Sequence, residues 1–295
     1  MLPLKIVEKK NLWFTLSLLP ILVGFGLMGY RYLNSMPVLN FGIDFSGGST
    51  LNLKFANHTD TLSLITELRK TLKSIGLEQS SIQISDQKEV LIKTNLLDHA
   101  GSENILKTLR EQMGQVEVLE IDFIGPSMGS ELRQKSLWIV FIAVILLLIY
   151  ITWRFEFSYG ISAIIATLHD GLITISIASI FLFEINTEFV AALLTILGFS
   201  IMDTIVIFDR IRENVNHIKK MEFSSLVNLS LHQTWARTFN TTGTTLGAIV
   251  CLVLFGGATI KAFCLILLVG VVAGAYSSPF VAAPLLTLFH KEQTS

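Results

Sequence analysis

Long apolar runs alternate with polar segments along the chain. A helix needs about 20 consecutive, mostly apolar residues to cross the hydrocarbon core of a bilayer, and several runs approach that length. The pattern therefore predicts six membrane-spanning helices. Their approximate limits are Leu12 to Tyr30, Leu137 to Trp153, Tyr159 to Phe183, Phe189 to Phe208, Phe239 to Phe255 and Ala262 to Phe289.

The first apolar run follows a short basic segment, as the hydrophobic core of a signal peptide would. Lys5, Lys9 and Lys10 precede it, but the run is long and no small-residue cleavage site follows before Arg31. We therefore expect an uncleaved membrane anchor.

The polar segment between the first and second runs has the pattern of a small α+β domain. It predicts strand, helix, strand, strand, helix and strand, the split βαβ order of a ferredoxin-like fold. Thr59 or Asp60 is the expected N-cap of the first helix and Gly76 follows its end. Leu62, Ile65, Leu68 and Leu72 are expected to pack on the sheet. The predicted elements cover residues 49–55, 60–75, 81–85, 89–94, 102–113 and 116–124.

The predicted architecture is thus a polytopic α-helical membrane protein with a small ferredoxin-like α+β domain between its first and second helices. The expected domain limits are 1–30 for the N-terminus and first helix, 31–135 for the exported domain, 136–289 for helices two to six and 290–295 for a tail.

Composition supports a membrane protein. The 295 residues are 51% hydrophobic and only 15% charged, and the mean hydropathy is +0.61, which is too apolar for an ordinary soluble domain. The net charge of −1 and scattered basic residues give no footprint for nucleic acid.

The distribution of basic residues predicts the orientation, because Lys and Arg are retained on the cytoplasmic side. The short loop from Glu184 to Glu188 contains no base, and Lys261 is the one short-loop exception. Both termini are therefore expected in the cytoplasm, with the domain of residues 31–135 on the outer side. The bases on the expected cytoplasmic side are Arg154, Arg210, Arg212, Lys219, Lys220, Arg237, His290 and Lys291.

No pattern in the sequence predicts a cofactor, a metal site or a catalytic set. Cys251 and Cys264 lie in apolar runs without a partner at ligand spacing. The segment FGIDFSGGST lacks the lysine of a phosphate loop and leads into a strand. We interpret Gly47 and Gly48 as a tight turn with Asp44 as a turn acceptor. The exported domain is therefore expected to act as a binding or mechanical module.

Charged residues inside the predicted spans are the main candidates for function. Asp170 lies in the third span, Asp203 in the fourth and Arg237 leads into the fifth. A charge at the centre of a bilayer costs roughly 2.5 to 3.5 kcal/mol, so these groups should face a bundle interior or a wet cavity. Each is expected to share a polar stripe with neighbours. These neighbours are Thr167 and Thr174, then Phe199, Ser200 and Thr204, then Thr241, Thr244 and Thr245.

Two interpretations of these charges remain open. Asp203 and Arg237 can form a structural ion pair, or Asp203 can load and release a proton as Arg237 moves toward or away from it. Asp170 can belong to the same relay or form hydrogen bonds to a Thr or Ser. His169 is expected to be structural, because adjacent helical positions point about 100° apart and cannot face one partner together.

Several segments together resemble the SecF group of the bacterial SecD/SecF protein-export family, which is related to the resistance-nodulation-division (RND) transporters. They are NFGIDFSGGST, IGPSMGSEL, ATLHDG, FVAALLTILG, GFSIMDTIVIFDRIREN and ARTFNTTGTT, and they occur in order over nearly the whole chain.

The resemblance implies an accessory subunit of the Sec machinery. Such a subunit pairs with a similar six-span half, SecD, acts beside the SecYEG channel and uses the proton-motive force to promote preprotein release on the outer side of the inner membrane. By motif position, it assigns proton transport to Asp203 and Arg237. The chain departs from the family at Met202, where Asn is usual, so an amide that could bond across helices is missing.

Two other classes of function are considered from the residues, and the sequence gives an argument against each. An intramembrane aspartyl protease would use Asp170 and Asp203 as a dyad, but neither acid has the expected GxGD setting. An RND-type small-molecule antiporter would need a larger exported domain.

Gly270, Gly274 and Ser278 predict a close-packing face, either within the chain or against the partner half.

The segment DRIREN is expected to form a solvated helix face at the cytoplasmic border. Asp209 with Arg212, and Arg210 with Glu213, have the i,i+3 spacing of helical ion pairs.

Overall fold

Six long apolar helices dominate the structure, a computed structural model that describes residues 5–55, 61–78, 80–84, 89–94, 99–218 and 221–289. In these residues six helices are long and apolar enough to cross a membrane, so the predicted six-span architecture is confirmed. The spans, in order, are α1, α5, α6, α7, α8 and the pair α9–α10. The helices are α1 (Lys10–Leu33), α2 (Ile43–Ser46), α3 (Thr61–Ser74), α4 (His99–Met113), α5 (Pro126–Arg154), α6 (Phe157–Phe181), α7 (Thr187–His217), α8 (Phe223–Phe255), α9 (Ala258–Ser277) and α10 (Ala283–Phe289).

Two irregular turns flank or interrupt these helices. A 3₁₀ turn at Val7–Lys9 precedes the first span. A π-helical turn at Ser278–Ala282 joins α9 to α10 inside the sixth span. Pro279 and Pro284 lie in and just after this turn, and π turns of this kind occur frequently at functional sites.

The domain expected to be exported, called the exported domain below, has the predicted ferredoxin-like topology. Its four-stranded sheet has the order β3-β4-β2-β5, and every pairing is antiparallel. Leu68, Leu72 and Leu109 pack from α3 and α4 against the inward-facing Leu51 and Leu53 of β2. The strands are β1 (Asn40–Phe41), β2 (Gly48–Phe55), β3 (Ser81–Ile84), β4 (Glu89–Thr94), β5 (Val116–Ile124) and β6 (Glu184–Ile185).

One expectation for α3 is wrong. Leu62 is 74% exposed, whereas Leu64 is buried with Leu68 and Leu72. Residues two positions apart lie on opposite sides of a helix, so the i+4 series that includes Leu64 forms the core face. The expected N-cap at Thr59 or Asp60 lies outside the described residues, as do Lys219, Lys220, His290 and Lys291.

The glycine-rich segment forms the predicted turn. Gly47 has φ +77°, a backbone conformation that favours glycine, and Gly129 at the start of the second span packs against its backbone nitrogen. Asp44 is an acceptor, but not of a local turn. Its Oδ2 accepts hydrogen bonds from the backbone nitrogen (3.0 Å) and the hydroxyl of Thr187, where the fourth span begins.

Two further contacts fasten the exported domain to the membrane part. β1 pairs in parallel with β6, which lies between the third and fourth spans. Lys93 on β4 forms an ion pair with Glu184, and both side chains are largely buried. A Cβ at Gly42 would collide with the Glu184 carboxylate, so glycine leaves room for it.

The third, fourth and sixth spans form the centre of the bundle. In the third and fourth spans, half of the residues in the most apolar 18-residue stretch are buried, against 11% in the first, second and fifth spans. The small residues of the sixth span face the fourth. A Cβ at Gly270 would collide with Ile196, and one at Gly274 would lie 3.0 Å from the Ser200 Cβ. The close-packing face thus lies within the chain.

The C-terminal end of the fourth span carries the expected ion pairs. Asp209 pairs with Arg212 at 3.2 Å, and Arg210 pairs with Glu213 at 2.6 Å. Arg154 at the end of the second span adds a contact to Asp209 at 3.2 Å. These pairs form a charged border to the bundle.

Candidate functional site

Asp170 lies at the centre of the bundle, where three helices supply its hydrogen-bond partners. Its side chain is fully buried. Its Oδ2 accepts hydrogen bonds from the hydroxyl of Ser200 on the fourth span and, at 2.6 Å, from that of Ser277 on the sixth. The carboxylate therefore ties the third span to both of its main neighbours.

His169 completes the environment of Asp170. Its Nδ1 lies 2.9 Å from the Asp170 Oδ1, and its Nε2 contacts the hydroxyl of Ser17 on the first span. The expectation that His169 and Asp170 have different partners holds on the other helices. The two side chains nevertheless meet each other, because a long imidazole can bridge the angle between adjacent helical positions.

Hydroxyl groups continue this network along the fourth span toward the helical turn that contains Asp203. Thr204 Oγ1 lies 2.9 Å from Ser278 Oγ, which also contacts the backbone oxygen of Ser200 at 3.4 Å. Ser278 begins the π turn and Ser277 directly precedes it. The turn therefore presents two consecutive hydroxyl groups to the third and fourth spans.

Asp203 has a different environment from Asp170. Its side chain is 5% exposed, yet its Oδ2 has no hydrogen-bond partner within the described part of the chain. Thr238 on the fifth span lies in its surroundings, and the Thr238 hydroxyl is also buried and without a partner. An enclosed carboxylate oxygen is thus left without a counter-charge in contact.

The expected ion pair between Asp203 and Arg237 is absent among the ion pairs of the described residues. Arg237 is exposed, whereas the next residue, Thr238, is buried. Because adjacent helical residues point about 100° apart, the turn that brings Thr238 toward Asp203 directs Arg237 outward.

The polar stripe predicted on the fifth span therefore lies on its outer surface. Thr241 and Thr244 are exposed and Thr245 is half-buried, and their hydroxyls bond to backbone oxygens one turn earlier. The buried stripe consists instead of Thr234, Thr238 and Thr242.

The site has two carboxylates with different chemical capacities. Asp170 lies within hydrogen-bond distance of His169, Ser200 and Ser277. Asp203 can bind a proton without first breaking an ion pair. Such a pair of unlike acids, enclosed by hydroxyl groups, fits proton transfer better than binding of a large ligand.

Sequence reasoning missed three members of this site. Ser17, Ser277 and Thr238 were not singled out, although each is a hydroxyl residue in an apolar helix. Ser17 could have been found, because polar positions of a span tend to face protein and not lipid. Ser277 and Thr238 each lie next to a residue that the sequence pattern does single out. An error of one position in the predicted helix face is therefore enough to miss them.

Comparison with known proteins places these features in a family. A family model described as protein export membrane protein SecD/SecF, C-terminal, matches residues 104–292, and one for the SecD/SecF GG motif matches residues 36–57. The protein translocase subunit SecF of Sebaldella termitidis is 38% identical over 291 residues, which is 98% of this chain and 92% of that protein. SecF of Anaerolinea thermophila is 35% identical over 97% of this chain and 94% of its own length.

Solved structures resemble the whole fold. The crystal structure of SecDF, a translocon-associated membrane protein from Thermus thermophilus, aligns with a TM-score of 0.82 and 30% identity over 96% of this chain. A SecDF structure in a super-membrane-facing form aligns with a TM-score of 0.68 and 29% identity. In both cases this chain spans only 38% of the length of the SecDF chain.

Proposed function

The chain belongs to the SecD/SecF family of protein-export membrane proteins, and from that membership we propose that it couples the proton-motive force to preprotein movement. Its relatives are named as translocase subunits, which are transport components and not enzymes. In this proposal the chain pairs with SecD, acts beside the SecYEG channel and promotes translocation and release of preproteins on the outer side.

The observation that carries the proposal is the enclosed carboxylate of Asp203, whose Oδ2 has no hydrogen-bond partner among the described residues. An ionised group at this depth is costly without a partner, and proton binding removes that cost. Asp170, with its three hydrogen bonds, is a second carboxylate of the same polar network. Arg237 makes no ion pair with Asp203 among the described residues, and a rotation of the fifth span would bring the two charges into contact.

A polar surface on the fifth span supports the SecD partner. Arg237, Asn240, Thr241 and Thr244 are exposed on one side of that helix, and Met202 beside Asp203 is 52% exposed. Polar side chains facing hydrocarbon are costly, so a second membrane protein is the expected cover. The SecDF chains have more than half of their length beyond the part matched here.

The proposed location is the inner membrane with both termini in the cytoplasm. The support is the clustering of Arg154, Arg210 and Arg212 at one end of the bundle and the exported domain at the other.

The experiment replaces Asp203 by Asn in the full chain and measures export of a Sec-dependent preprotein with and without a proton gradient. Membrane level and SecD association are measured first. We expect the gradient-dependent part of export to disappear while gradient-independent export continues.

Glu213→Gln is the matched control, because it removes a carboxylate from the exposed cytoplasmic end of the same helix. It should leave gradient dependence unchanged. Full gradient dependence in Asp203→Asn would refute the proposal and make Asp203 a structural residue.

The two alternatives have less support. The described hydrogen bonds of Asp170 go to His169, Ser200 and Ser277 and not to Asp203, so the acids do not form a hydrogen-bonded protease dyad. In the described residues the exported domain has one four-stranded sheet with two helices packed on it, which is smaller than the exported part expected for an RND-type drug antiporter.

A further inference from the structure

A continuous line of polar side chains joins the bundle centre to the first span. Ser17 contacts His169 Nε2, and His169 Nδ1 lies 2.9 Å from Asp170 Oδ1. Asp170 Oδ2 in turn accepts from Ser200 and Ser277. Four spans therefore meet at one histidine and one carboxylate.

The hydrogen bonds of this group can be assigned by counting donors. Ionised Asp170 has only acceptors, so the His169 Nδ1–H and both serine hydroxyls donate to it. In neutral His169 the Nε2 atom is then an acceptor, and the Ser17 hydroxyl donates to it. Every polar atom of the pair is satisfied in this state.

Proton uptake changes one bond in a defined way. A proton that binds His169 Nε2 converts the imidazole to imidazolium, and the charge of the pair changes from −1 to 0. Nε2–H then donates to the Ser17 oxygen, so the Ser17 hydroxyl must turn to another acceptor. Release of the proton restores the first arrangement. No other bond of the pair has to break.

The first span also contacts the bundle at other positions, including Trp13, which packs against Phe280 of the π turn. Its buried residues within the helix are Ser17 and Gly24. A Cβ at Gly24 would collide with Ser176 on the third span, and Arg31 donates to the backbone oxygen of Ser179 at 2.6 Å. The three positions are seven residues apart, which is the repeat of two helices packed side by side.

The first span also leads directly into the exported part. It ends at Leu33, and β1 follows at Asn40–Phe41. A change at Ser17 therefore acts on the helix that carries the exported domain at its outer end.

We propose that His169 is a positioning residue of the relay, which shares a proton with Asp170 and transmits the protonation state of the pair to the first span through Ser17. This inference rests on the proposed proton-driven function. It adds a route between the buried acids and the exported domain.

Other ionisable groups surround the pair on the packed helices. Arg31 already donates a hydrogen bond to the Ser179 backbone oxygen, and Arg154 forms an ion pair with Asp209. The Tyr276 hydroxyl donates to the Trp13 backbone oxygen. Among the described residues on the helices around the pair, the ionisable groups are Lys10, Tyr30, Arg31 and Tyr32 on the first span, Glu131, Arg133, Lys135, Tyr150 and Arg154 on the second, Tyr159 on the third, Glu188, Asp203, Asp209, Arg210, Arg212, Glu213 and His217 on the fourth and Lys261, Cys264 and Tyr276 on the sixth.

The test uses the full chain with SecD and the Sec channel in proteoliposomes under an imposed proton gradient. Export of a preprotein is measured over a range of outer pH. Ser17→Ala removes only the hydroxyl that contacts His169. His169→Asn keeps a nitrogen donor near Asp170 but cannot titrate.

Ser176→Ala is the matched control. Ser176 is buried at the same interface between the first and third spans, but its hydroxyl has no hydrogen-bond partner among the residues that the structure describes. Ser17→Thr keeps the hydroxyl and tests whether activity returns with it.

We expect Ser17→Ala to lower gradient-stimulated export about tenfold, the factor expected for one lost hydrogen bond to a charged group, with gradient-independent export unchanged. His169→Asn should flatten the pH dependence of gradient-stimulated export, because asparagine cannot take up a proton. Ser176→Ala should match the wild type and Ser17→Thr should recover stimulation.

The opposite results overturn the inference. A wild-type pH profile in His169→Asn would mean that His169 holds no proton that matters for export. Equal losses in Ser17→Ala and Ser176→Ala, or full stimulation in Ser17→Ala, would mean that the interface only packs.

The inference and the proposed function fail separately. If Asp203→Asn removes gradient stimulation and Ser17→Ala does not, the relay stands without this route. If Asp203→Asn keeps full stimulation, the proposed function fails first.

Discussion

Hydroxyl groups, and not charges, supply most of the side-chain contacts around the two buried acids. Ser200 and Ser277 donate to Asp170, and Thr204 bonds to Ser278. Such bonds between membrane helices contribute about 0.6 kcal/mol on average. They can therefore rearrange at a cost that a proton gradient can supply.

Replacing Thr204 by Val should destabilise the bundle by about 0.6 kcal/mol. Valine has the shape of threonine but cannot bond to Ser278, which lies 2.9 Å from the Thr204 hydroxyl. The measurement is thermal or denaturant unfolding of the purified chain in detergent.

Thr242→Val provides the comparison. The Thr242 hydroxyl is also buried but has no hydrogen-bond partner in the described part of the chain. Its removal should leave stability unchanged or raise it. Equal losses in the two variants would show that the Thr204 bond contributes nothing.

The sequence located both buried acids but not their partners. An apolar run that contains Asp170 or Asp203 is visible without a structure, because the cost of a charge in lipid is large. Whether Arg237 or Thr238 faces Asp203 depends on one step of helical phase and on how the helices pack. Neither the helical phase nor the packing of the helices can be read from the residue spacing of one helix alone.

At the scale of elements, small residues determine how closely the fourth and sixth spans approach. Gly270 and Gly274 face Ile196 and Ser200, which allows the backbones to come close where lipid offers no hydrophobic drive for association. This approach also brings Ser277 within reach of Asp170.

Gly270→Ala should destabilise the bundle by roughly 1–3 kcal/mol, as overpacking does. The added Cβ would collide with Ile196, which is fully buried. Unfolding in detergent measures the loss, and the double variant with Ile196→Val should recover part of it because the valine side chain is shorter.

Gly243→Ala is the control for this prediction. A Cβ at Gly243 meets no atom within 4 Å, so the substitution should cost nothing in the isolated chain. A stable Gly270→Ala variant, or one that Ile196→Val makes worse, would contradict the proposed close contact.

Regular elements were predictable from the sequence and irregular ones were not. The strands Glu89–Thr94 and Val116–Ile124 lie where alternation and β-branched residues placed them. The two-residue β1 and the π turn at Ser278–Ala282 have no period of their own. Their formation depends on partners distant in sequence, which a local pattern does not contain.

At the scale of the whole molecule, the exported domain is fastened to the membrane part at several points. The Lys93–Glu184 pair joins the sheet to the loop between the third and fourth spans, and β1 pairs with β6 in that loop. Asp44 adds its bonds to Thr187. The domain is therefore docked in this conformation and does not hang freely from its two connections.

Breaking the ion pair should loosen this docking. Lys93→Met or Glu184→Gln leaves one largely buried charge without its partner, and we expect a loss of roughly 1–3 kcal/mol, less than for a fully buried pair because both side chains keep some exposure. Hydrogen exchange of β4 and of the Glu184 loop measures the change.

A double-mutant cycle separates the pair from its surroundings. If the Lys93→Met and Glu184→Gln effects add independently in the double variant, the two side chains do not interact energetically. Lys54→Met on the neighbouring strand is the control, since Lys54 is exposed and should not affect docking.

The pairing of β1 with β6 fixes more than the sheet. It holds the segment after the first span against the loop that follows the third, and Arg31 bonds to Ser179 close by. These contacts hold the C-terminal end of the first span in place, while Ser17 lies nearer the N-terminal end of that helix. Under the proposed route through Ser17, a sideways displacement of the first span at that residue would rotate the exported domain about this fixed end instead of moving it outward with the helix.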